Sequence, residues 1–218
     1  MQGGGFLAIW SDVGPGEETD YLHWLTREHT AERLGVEGFL AARVFRALGA
    51  DIGRFFILYE LETAEAVSGA DYLARLNSPT PWSQRIMPIL GNFVRGGGRL
   101  VISRGIGQGG VVAAMPRHEL LADATVLVER LAKLDRIAAV RLFETDQAKT
   151  AIDTRERGMR AADQTFAELL LIEGLDEPAV RAAVERLPPE PLEMGAAAEA
   201  PLYRLIFALD RRQLWAVT

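Results

Sequence analysis

Hydrophobic spacing changes period part-way along the stretch from Asp20 to Phe45. Up to Arg33 the pattern runs at three and four: Leu22, Leu25, His29 and then Glu32 or Arg33 form one stripe, with Tyr21, Trp24 and Glu28 beside it. That spacing predicts a helix with one buried side. Glu17, Glu18 and Asp20 put negative charge where the helix dipole favours it, and Gly35 is the expected stop. From Phe39 the period is two, as in a strand, with Phe39, Ala41, Arg43 and Phe45 on one face and Leu40, Ala42, Val44 and Arg46 on the other. Gly5 to Trp10 is an apolar run of strand length before the helix. After a turn at residues 49–53, Arg54 to Glu62 forms another strand, expected to pair with its predecessor as an antiparallel hairpin. Thr63 to Leu76 reads as a helix interrupted at Gly69. Thr80 and Pro81 then supply a cap and a first helical residue, and Trp82, Ile86, Ile89 or Leu90, and Phe93 form the buried stripe that follows. Arg99 to Arg104 closes the order β-α-β-β-α-β.

The same order begins again at Gly110. Strands are expected at Gly110 to Met115, Ile137 to Phe143, Phe166 to Ile172 and Leu202 to Leu209, with helices at His118 to Leu134 and Glu177 to Leu187. The polar segment from Glu144 to Asp163 reads as a long mobile excursion, and a Pro- and Ala-rich loop precedes the last strand. Arg43-Val44-Phe45 has an echo in Arg141-Leu142-Phe143, and the repeated order predicts a duplication, residues 1–105 and 106–218. A one-sided antiparallel sheet leaves its second face polar. Here Phe39, Phe45, Phe55, Ile57, Tyr59 and Leu61 face one way while Leu40, Val44, Phe56 and Leu58 face the other. Both faces need cover, which two repeats supply by packing sheet against sheet with helices outside.

Composition narrows the function classes. The 218 residues are 49% hydrophobic and 25% charged, enough for one large core or two small ones. A net charge of -6 argues against a nucleic-acid partner, which needs a clustered positive surface. Without cysteine there are no disulfides and no thiolate ligands or nucleophiles. No apolar run approaches the roughly 20 residues of a membrane span, the N-terminus lacks a signal-peptide pattern, and a cytoplasmic protein is expected.

The residues Trp24, Glu28-His29, Glu32-Arg33, Val36-Glu37-Gly38-Phe39 and Leu58-Tyr59-Glu60-Leu61 carry a resemblance. The chain resembles the dimeric α+β barrel superfamily of ferredoxin-like domains, and within it looks most like EthD-type proteins, although a proline is common where this chain has Glu37. The resemblance covers the first repeat; the second matches in element order only. It implies an α+β fold in which two ferredoxin-like repeats pack their sheets face to face as an intramolecular dimeric barrel. It also implies a small-molecule pocket between a sheet and its own helices. Members include cofactor-free oxygenases, decarboxylases, cyclases and haem enzymes, and fold alone does not choose among them.

His29 is the candidate catalytic residue, because an imidazole on an apolar stripe can act as acid or base near neutral pH; a buried histidine bonded to Glu28 or a carbonyl is the plainer alternative. Trp24, Tyr59 and Trp82 are candidate walls for a planar ligand, or simply core. Arg43, like Arg141, could hold a carboxylate or form an internal ion pair, and Arg85, Asn92 and Arg95 are candidates for the pocket mouth. No metal site is expected, since a histidine pair would prefer a spacing of four, and no cofactor is expected. Haem would need an axial ligand, for which the second repeat offers only His118. The run Gly105-Ile106-Gly107-Gln108-Gly109-Gly110 matches G-x-G-x-x-G, but a strand follows it rather than the helix that a pyrophosphate requires, so it reads as a linker. The expected activity is proton transfer, or oxidation or decarboxylation, on an apolar or aromatic compound. The alternative is a non-catalytic ligand-binding or stress-related barrel. An internal pseudo-dimer is expected, and a homodimer of whole chains is compatible with it.

Overall fold

The computed structural model describes residues 1–50, 53–160, 163–187 and 201–215. Asp51 and Ile52 of the first hairpin turn and most of the Pro- and Ala-rich loop lie outside these. Eight strands, β1 (Gly5–Val13), β2 (Phe39–Ala47), β3 (Gly53–Leu61), β4 (Gly91–Gly105), β5 (Val111–Arg117), β6 (Ile137–Thr145), β7 (Glu168–Gly174) and β8 (Leu202–Asp210), close into an antiparallel barrel. Around the ring the order is β1-β3-β2-β8-β5-β7-β6-β4. Closure leaves no sheet edge to pair with a foreign chain.

Helices lie outside this ring. In the first half they are α1 (Glu18–Trp24), a π-helical turn (Leu25–His29), α2 (Thr30–Leu34), α3 (Ala70–Asn77) and α4 (Pro81–Ile86); in the second, α5 (Ala124–Ala132), α6 (Gln147–Thr150) and α7 (Glu177–Val184). The fold is α+β, and among the described residues no helix is long and apolar enough to cross a membrane.

Strand alternation accounts for the two-faced hydrophobicity. One side chain in two points into the barrel, where Phe6, Trp10, Phe45, Phe56, Phe143 and Leu171 meet in one core. The others point outward into two further cores, one under the helices of each half. The face assignment in β2 needs correction. The β2/β3 register shifts between Phe39 and Ala41, so Phe39 packs outward beside Tyr59 and Leu61, whereas Phe45 turns inward against Phe56. A β-bulge adds one residue and exchanges the two faces beyond it.

Two further expectations change. β4 begins at Gly91 and so includes Phe93, which the sequence pattern put on a helix. Its first part pairs with β1 and its last part with β6. The excursion after β6 is packed rather than free. Residues 146–160 form a strap across the first half, in which the Asp146 amide donates to the Gly97 carbonyl (2.9 Å) and the Glu156 amide to the Leu76 carbonyl (3.0 Å).

Candidate functional site

The helix after β1 carries the site because it departs from α geometry. In an uninterrupted α-helix, residues five apart point about 140° away from each other. The π-helical turn closes i to i+5 instead, the Thr30 amide donates to the Leu25 carbonyl, and Thr30 Oγ1 donates to the same oxygen at 2.9 Å. Trp24 and His29 are thereby brought onto one face, their ring centroids 4.1 Å apart and inclined by 30°. Trp24 Nε1 donates to Ser83 Oγ (3.1 Å), which fixes the indole, and Thr80 Oγ1 donates to Glu28 Oε1 (2.6 Å). Glu28 therefore faces Thr80, and the Glu28 bond that would have made His29 a plain structural residue is not formed.

Both rings line a pocket of about 660 Å³, solvent at its mouth included. Its floor is the outer face of the sheet at Ile9, Ser11 and Ile57, and α3 contributes Tyr72, Leu73 and Leu76. Met87, Leu90, Phe93 and Arg95 form a third wall, and the strap covers the remainder with Thr150, Glu156, Arg157 and Arg160 among others. The π-turn and the strap are thus the two devices that make the pocket.

The polar groups in this lining are unevenly satisfied. His29 is 4% exposed, and its Nδ1 has no hydrogen-bond partner among the described residues. Burial, reinforced by the positive charges of Arg33 and Arg160, holds its pKa well below the ordinary 6.5, so it is neutral at neutral pH. Arg33 is also buried; its Nη2 donates to Glu156 Oε1 of the strap at 2.5 Å, while its Nη1 lies 3.5 Å from Glu32 Oε2 without a hydrogen bond. Arg160 makes a two-pronged pair with Asp163 (2.7 and 2.6 Å) and lies 4.1 Å above the Phe93 ring. The Tyr21 hydroxyl shares a 3.2 Å hydrogen bond with Ser11, and burial raises its pKa.

Of the other sequence candidates Arg95 lines this pocket, whereas Tyr59, Trp82, Arg85, Asn92, Arg43 and Arg141 do not. Tyr59 lies in the same outer core, packed edge-on against Phe39, with a buried hydroxyl that has no hydrogen-bond partner among the described residues. Trp82 is half-buried on the outside of the helices, its Nε1 donating to Asp20 (3.1 Å), and Arg85 is exposed on α4. Arg43 points into the barrel, where Nη1 and Nη2 donate to Glu173 at 2.6 and 3.4 Å and Nη2 lies 3.6 Å from Glu60. Arg141, its counterpart in the sequence echo, also donates to Glu173. The internal ion pair is the arrangement found. Among the described residues, no group of three or more His, Asp or Glu side chains is placed to hold a metal ion.

Sequence reasoning missed Tyr21, Tyr72 and the whole strap as lining. Tyr72 lies on a stripe that reads as ordinary core, and a polar segment carries no mark of what it will cover.

Neither a family model nor a curated protein matches the chain. Among solved structures it is similar to a protein of Fusobacterium nucleatum subsp. nucleatum ATCC 25586 provisionally described as a monooxygenase, at 14% identity over 96% of each chain with a TM-score of 0.55. It is similar as well to an anthrone oxidase-like protein, at 11% identity over all of this chain and 97% of the other, again with a TM-score of 0.55. The likeness is one of fold.

Proposed function

We propose that this chain is a small-molecule-binding protein of the EthD-like kind, acting in the cytoplasm on a planar apolar or aromatic compound held beside Trp24 and His29. Residues 1–105 and 106–218 would be two ferredoxin-like units closed as an intramolecular dimeric α+β barrel. The strand order supports that organisation, since β4-β1-β3-β2 and β8-β5-β7-β6 repeat one arrangement.

The observation that carries the reading is the unpartnered, buried Nδ1 of His29 in the wall of an aromatic pocket. A buried polar atom without a partner costs free energy unless a ligand supplies one. A ligand O–H or acidic C–H set against it would meet a neutral imidazole ready to accept a proton. The arginines that depress the basicity of His29 would equally stabilise the anion left behind, so the transfer moves charge within one positive field. The name of one structure of similar fold, an anthrone oxidase-like protein, is in keeping with a small aromatic ligand. The depressed basicity favours a second reading, a barrel that binds through His29 without turnover.

Mass spectrometry of the purified protein under native and then denaturing conditions tests the pocket through release of a bound aromatic compound. With that compound in hand, His29→Gln is expected to lower turnover by about 100-fold or more while binding persists. Unchanged turnover and affinity would remove His29 from the mechanism. Binding without turnover in either protein would establish the non-catalytic reading.

A further inference from the structure

The pocket is positively charged although the protein is negative. Arg33, Arg95, Lys149, Arg157 and Arg160 line it against Glu156 and Asp163, in a chain of net charge -6. The two acids answer Arg33 and Arg160. Lys149 is answered from outside the lining by Glu65 and Asp146, each at 3.2 Å, and Arg157 has Asp153 at 3.6 Å. Arg95 differs from these four. Its Nη1 donates to the Thr150 carbonyl (2.8 Å) and its Nη2 to the Tyr72 hydroxyl (3.3 Å), both neutral groups, and no carboxylate among the described residues pairs with it. It also lies over the Tyr72 ring at 5.9 Å. The guanidinium is thus held from two sides by uncharged groups, with its charge uncompensated in the wall of an aromatic cavity.

We propose that Arg95 is the specificity-determining residue of the pocket, receiving the carboxylate of a planar aromatic acid. The inference rests on the pocket reading above and adds the ligand's charge. A guanidinium fork suits a planar carboxylate better than a point charge does. Tyr72, which accepts from Arg95, keeps its own hydroxyl proton to donate to the same group. Thr150 belongs to the strap, so the second half of the chain aims the residue that would read the ligand in the first.

The test measures calorimetric affinities of 2-naphthoate and its neutral counterpart 2-naphthamide for the wild-type protein and for Arg95→Met, Arg95→Lys and, as a control outside the pocket, Arg85→Met. The wild type is expected to prefer naphthoate by about tenfold or more. Arg95→Met should lose that preference through weaker naphthoate binding alone, Arg95→Lys should keep part of it, and Arg85→Met should keep it all. Equal binding of the two probes by the wild type overturns the inference while leaving the pocket intact, and needs no variant to fold. A preference retained in Arg95→Met, or lost in Arg85→Met, overturns the assignment to Arg95. Failure of both probes to bind the wild type overturns the pocket reading together with the inference.

Discussion

The two helix-covered faces of the barrel follow one element order and differ in what fills them. Under α5 and α7 the layer is aliphatic: Leu127, Val128, Leu131, Val180 and Ala183 meet Val111, Ala113, Val140 and Ile172. The approach is close enough that a Cβ added at Gly174 would lie 2.5 Å from Val180 Cγ2. Under α1, α2 and α3 the layer contains Tyr21, Trp24, Tyr72 and Phe93, and it encloses the pocket. Small branched side chains let a helix settle on a sheet at interior density. Large rings, one of them paired with an imidazole across a π-turn, line a pocket instead, and the strap covers it. A pocket in this architecture comes from side-chain size and one long connection, without any change of topology.

Three substitution experiments sharpen that contrast. The largest effect should belong to neither face but to the interior they share: Glu173→Gln leaves Arg43 and Arg141 buried and short of charge, and should cost about 3–5 kcal/mol in urea unfolding. Next, Leu131→Ala in the filled layer should cost about 2–5 kcal/mol, and Leu76→Ala in the pocket wall clearly less, because Leu76 already borders open space. Equal costs would mean that the first layer is packed as tightly as the second. The smallest effect concerns His29. Its folded pKa lies below 6.5, so between the two values the unfolded chain binds more protons than the folded one. Stability contributed by this residue is complete above about pH 6.5 and falls as pH drops below it, by at most about 1.4 kcal/mol per pH unit. In His29→Gln that slope should flatten; an unaltered slope would show that His29 titrates normally in the folded protein.

Periodicity made the order of elements and the two-faced sheet legible, and it singled out His29, a polar residue on an apolar stripe. The bulge at β2 was not legible, since one extra residue reverses the faces beyond it without a distinctive composition. Trp24 and His29 were both candidates for one site, but the contact between their rings was not legible, because α-helical spacing sets residues five apart on different faces. Arg43 illustrates a further limit: an arginine flanked by apolar residues reads alike whether its carboxylate arrives on a ligand or on Glu173, 130 residues away. Glu156 was hidden for a related reason, because a carboxylate buried against Arg33 has the same local sequence as one in water.

The lengths of the β2–β3 and β6–β7 connections have a consequence for symmetry. Two identical chains related by a two-fold axis must carry every loop twice, so a strap on one would be matched by a strap on the other, lying over the opposite helix layer. In this chain the β2–β3 connection is confined to residues 48–52, whereas the β6–β7 connection takes residues 146–167. A single polypeptide is exempt from the pairing rule: here one long connection covers a pocket, and the other, short one offers no counterpart to it.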